Sequence, residues 1–76
     1  MTTGNHSVPI QILLNTPAES MTFDEYDRAL RSQRALHFGV DAEDIIISLY
    51  WRGVVEYERD PLGNICRVWL DKARNG

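Results

Sequence analysis

Leu49-Tyr50-Trp51-Arg52-Gly53-Val54-Val55-Glu56-Tyr57-Glu58-Arg59-Asp60-Pro61-Leu62-Gly63-Asn64-Ile65-Cys66-Arg67-Val68-Trp69-Leu70 decides the fold. Helical spacing stops at Gly53, which tolerates the left-handed conformation that closes a helix. A period of two takes over. The runs 54–59 and 64–70 flank Asp60-Pro61-Leu62-Gly63, with Asp first, Pro second and Gly fourth. That order fits a type I turn closed by a glycine bulge. Alternation places Val55, Tyr57, Cys66, Val68 and Leu70 on one side of the hairpin. It places Glu56, Glu58 and Arg67 on the other, with Val54, Ile65 and Trp69 among them.

Upstream, two helices announce themselves by their caps. Asp41 serves as N-cap for a helix over about 42–52, with Asp44 at the third position and Val40 and Ile45 as a hydrophobic staple. Glu43 and Asp44 place negative charge against the positive end of its dipole. Ile46, Leu49 and Tyr50 cover one side and Ile47 and Trp51 nearly the opposite one, leaving Asp44, Ser48 and Arg52 as a polar strip. A helix apolar almost all round is buried on several sides or covered by another molecule. Thr22 and Glu25 make a capping box for an earlier helix, with Met21 and Tyr26 as its staple. That helix should run to about His37 and end at Gly39. Phe23, Tyr26, Leu30 and Leu36 form its apolar face. At 8–14, Val8, Ile10, Ile12 and Leu14 alternate with their neighbours, which selects a short strand over the competing one-turn helix capped by Ser7.

The expected fold class is α+β: a short N-terminal strand, two helices and a C-terminal β-hairpin, in one domain over 1–76 with flexible tails at 1–7 and 71–76. Two helices in quick succession before a twisted hairpin resemble a winged-helix domain over 22–70. Leu49 to Asp60 looks like a recognition helix running into its wing. The first helix of that family has no counterpart in this reading. The resemblance implies a DNA-binding regulator whose second helix enters the major groove while the wing touches the backbone.

Composition bounds the function. A 76-residue chain buries about 60% of its unfolded surface, a thin margin that self-association or a partner would supplement. One cysteine, Cys66, makes no internal disulfide. With His6 and His37 it forms no zinc-ligand spacing, so no metal or cofactor is expected. A lone thiol, no export signal and no apolar run near 20 residues lead to the expectation of a cytoplasmic protein without membrane insertion. The net charge of −3 is uneven: residues 41–60 hold six acids against two arginines.

No catalytic apparatus is legible. Cys66 lies mid-strand and should pack inward as a small hydrophobe. Glu43/Asp44 and Glu56/Glu58 read as helix-start charge and a solvent-facing strand. For DNA, the candidate residues are Arg28, Arg31 and Arg34, spaced every third position, with Arg59 and Arg67 on the hairpin. Against them, Asp41, Glu43 and Asp44 would face phosphates, and Asp24 and Asp27 stand four residues before Arg28 and Arg31, the spacing of helical ion pairs. For protein binding, the candidates are Ile47, Trp51, Arg52 and Trp69, because Trp and Arg dominate interface hot spots. The tryptophans have two destinations: an exposed anchor, or core beneath residues 8–14. The leading expectation is a non-catalytic interaction module, self-associating or docking on a larger protein. By analogy with small acidic proteins of phages and mobile elements, a DNA-reader shape with inverted charge could also block a basic surface.

Overall fold

The computed structural model describes residues 8–71 and is α+β: three helices and a three-stranded antiparallel sheet. The elements run α1 (Val8–Leu14), β1 (Met21–Thr22), α2 (Phe23–Ser32), α3 (Ala42–Trp51), β2 (Val55–Arg59) and β3 (Ile65–Leu70), and β3 lies between β1 and β2. The expected flexible tails and the cap at Ser7 lie outside the described residues, except Asp71, whose N–H donates to the Val54 carbonyl at 3.0 Å.

The first correction is at 8–14, which is helix and not strand. Ile12 and Leu13 are adjacent and both buried, which a strand with one solvated face does not give, because it sends neighbours to opposite faces. In a helix, Val8, Pro9, Ile12 and Leu13 share one side, and Pro9 loses nothing in a first turn whose N–H groups lack helical partners. The apparent period of two came from a segment apolar at almost every position. The Tyr26 hydroxyl fastens this helix by donating to the Pro9 carbonyl at 2.7 Å.

Thr22 does double duty. It pairs with Arg67 in β1–β3 and caps α2: its hydroxyl accepts from the Glu25 N–H and the Glu25 carboxylate accepts from its own, both at 3.1 Å. The second correction concerns where α2 stops. It ends at Ser32 rather than near His37, and the left-handed residue is Arg34 (φ 56°). Ala35 N–H donates to the Leu30 carbonyl and Arg34 N–H to that of Arg31, the paired bonds of a Schellman close. The early stop turns Ala35 and Leu36 down onto the core. Gly39 (φ 82°) instead serves the turn in which Val40 N–H donates to the His37 carbonyl.

From Asp41 onward the caps act as read. Asp41 N–H donates to the Asp44 carboxylate at 3.0 Å, and Gly53 (φ 78°) closes α3 with Val54 N–H on the Leu49 carbonyl. The hairpin turn is drawn tight by Asp60. Its carboxylate accepts from Leu62 and Asn64 N–H, while Gly63 N–H donates to the Asp60 carbonyl. Glu58 pairs with Arg67 but Arg59 pairs with Ile65, so Cys66 is an extra residue bulged from β3. The slip of one exchanges faces: Ile65, expected outward, joins the core, and Cys66, expected inward, is half-buried. The core is thus Ile12, Leu13, Tyr26, Leu30, Ala42, Ile46, Leu49, Val55, Ile65 and Val68, enclosed by all three helices and one face of the sheet.

Candidate interaction surface

Gly53 reverses the chain so sharply that the last turn of α3 lies back along β2, and the aromatic residues on the two meet. Tyr50 packs edge-on against Trp51, ring centres 6.0 Å apart, and against Tyr57 at 5.1 Å. The Arg59 guanidinium sits 5.2 Å above the Tyr57 ring, donates to the Gly63 carbonyl at 2.7 Å, and lies 4.0 Å from the Glu43 carboxylate. The result is a continuous surface of three rings and one arginine. Trp51 is 79% exposed.

The surface includes some of the expected residues and adds others. Ile47 is half-buried against the core and flanks it. Trp69 is half-buried and pairs across the strands with Glu56. Arg52 is exposed but lines a different groove, with Pro9, Asp44, Ile45 and Ser48. Tyr50, assigned to the core side of α3, is 40% exposed, because it sits at the margin of the buried stripe of Ala42, Ile46 and Leu49 and meets Tyr57 of the hairpin. The periodicity alone does not assign Tyr50, Tyr57 and Glu56 to this surface. A usable signal existed: consecutive aromatics at a helix end, a glycine stop, and a third aromatic on the returning strand. Phe38 and Leu62, on the α2–α3 loop and the hairpin tip, are also fully or largely exposed.

The DNA candidates are scattered and partly neutralised. Arg28 pairs with Asp24 at 2.7 Å and Arg31 with Asp27 at 3.1 Å, the helical pairs that the spacing implied. Arg67 donates to the Ser20 hydroxyl at 3.0 Å, Arg59 is engaged as above, and Arg34 lies beyond the end of α2. The exposed side of α3 begins with Asp41, Glu43 and Asp44. Among the described residues, no three of His, Cys, Asp and Glu come together as a metal site, and no helix is long and apolar enough to cross a membrane. His37 lies on the α2–α3 loop and Cys66 on β3.

Set against models of known protein families, curated protein sequences and solved structures, the chain finds no match.

Proposed function

We propose that this chain is a non-catalytic protein-interaction module on a winged-helix-like frame, docking through the face formed by α3 and β2. One observation carries the reading: Trp51, 79% exposed at the C-terminal end of α3, packs edge-on against Tyr50, which in turn meets Tyr57. A tryptophan that packs edge-on against a neighbouring ring gives up part of its rotamer freedom before a partner arrives, which lowers the entropy lost on burying it. The likeness to a winged helix is supported by α1, which supplies the helix missing from the sequence reading. In a reducing cytoplasm the half-buried Cys66 stays a thiol.

Light scattering after gel filtration, on wild type and Trp51→Glu, tests this. Association that Trp51→Glu abolishes with an unchanged circular dichroism spectrum is the expected result. A second reading, DNA binding, is favoured by the order of two helices and a hairpin carrying Arg59 and Arg67. A monomer that retards random duplex DNA at low salt and releases it at moderate salt would install that reading instead.

A further inference from the structure

Beside the exposed tryptophan, the face contains a cleft of about 240 Å³ lined by Tyr50, Trp51, Gly53, Glu56 and Asp71. We propose that this cleft receives one arginine side chain of a basic segment on the partner protein, an inference that rests on the α3–β2 face being the docking face. The two rings meet at 72°, forming a corner with two walls. A cation within about 6 Å of a ring centre is drawn to its negative face. Glu56 adds a formal charge: it is half-buried, and its carboxylate makes no ion pair or hydrogen bond among the described residues. A guanidinium is planar enough to stack on one wall while its edge donates two hydrogen bonds to a carboxylate, which an ammonium does not do.

Two features favour arginine over an apolar occupant. The same ring cluster already holds an arginine of this chain, Arg59 over Tyr57, so the chemistry is realised one ring away. Charge is complementary too, since the charged residues among those lining the cleft, Glu56 and Asp71, are both acidic. Neither nearby arginine of this chain lines it: Arg59 is engaged with Tyr57 and Glu43, and Arg52 lines the groove beside Pro9.

The probe is an acetylated Gly-Arg-Gly amide, titrated into the full ¹⁵N-labelled chain beside its citrulline counterpart, which keeps the shape and removes the charge. The readout is the indole N–H resonance of Trp51, identified with Trp51→Phe. Saturable movement with the arginine peptide, weakened about two- to fivefold by Glu56→Gln at unchanged circular dichroism, is expected. Equal responses to arginine and citrulline, or no response, overturn the assignment, as does random duplex DNA moving the same resonance more strongly. If Trp51→Glu abolishes association while the peptide has no effect, the docking face stands and the arginine assignment falls. If Trp51→Glu also leaves association unchanged, both fall.

Discussion

At the scale of single residues, Tyr26 and Arg34 show how much can rest on one side chain. The Tyr26 ring is fully buried, and its hydroxyl joins α2 to α1 through the Pro9 carbonyl. Tyr26→Phe removes the hydrogen bond that joins α2 to α1, so unfolding free energy should fall by about 0.5–1.5 kcal/mol, read from the urea midpoint. Burial also pushes the Tyr26 hydroxyl well above the ordinary tyrosine value. The unfolded phenol ionises near pH 10 while the folded one stays neutral. The stabilising contribution is therefore complete below about pH 10 and is lost as pH rises beyond it. Alkaline titration should show Tyr26 ionising together with loss of the far-UV signal, a step absent from Tyr26→Phe. Arg34 presents the opposite case, a residue with a Cβ in the left-handed region. That conformation costs about 1–2 kcal/mol, partly offset by the greater unfolded entropy of glycine. Arg34→Gly should raise stability by about 0.5–1 kcal/mol, and a lower urea midpoint would show that the Arg34 side chain makes a compensating contact.

At the scale of elements, legibility followed whether the deciding force was local. Thr22 with Glu25, Asp41 with Asp44, Gly53, and Asp60-Pro61-Leu62-Gly63 act through bonds spanning a few residues, and each does in the fold what its spacing implies. Helix α1 was not legible because a run apolar at nearly every position satisfies strand and helix periods alike; packing against Tyr26 and the core decides. The end of α2 was missed because it uses arginine where glycine was expected. The bulge at Cys66 exchanged two faces that simple alternation had assigned. Strand β1 comprises two residues, too short for any period to reveal. The α3–hairpin junction is the local device on which the candidate surface depends. At φ 78°, Gly53→Ala should cost about 1 kcal/mol and disturb the approach of Tyr50 to Tyr57. Near-ultraviolet circular dichroism tests the second effect: a spectrum identical to wild type would separate the aromatic packing from the turn.

At the scale of the whole molecule, charge and aromatic surface lie together on α3 and the hairpin, while the arginines of α2 are largely answered by their own helix. Trp51 was picked out from the sequence by its place opposite the core stripe, but its setting was not. Its neighbours Tyr50, Tyr57 and Glu56 are joined by a chain reversal and a strand pairing, which are tertiary facts. The two uses of the frame separate experimentally on α2. The Arg28–Asp24 and Arg31–Asp27 pairs are solvent-exposed, so each contributes about 0.3–0.5 kcal/mol to stability. Replacing Arg28, Arg31 and Arg34 together by Gln should lower the unfolding free energy by about 1 kcal/mol or less and leave Trp51-dependent association intact, because none of the three belongs to the aromatic cluster. If the frame instead reads nucleic acid, the same triple variant should lose most of its affinity for duplex DNA, and the slope of log affinity against log salt should flatten with the phosphate contacts removed. A salt-titrated shift assay on the two proteins distinguishes these outcomes: no retardation by either is expected, and retardation by wild type alone would transfer the function from Trp51 to the arginines.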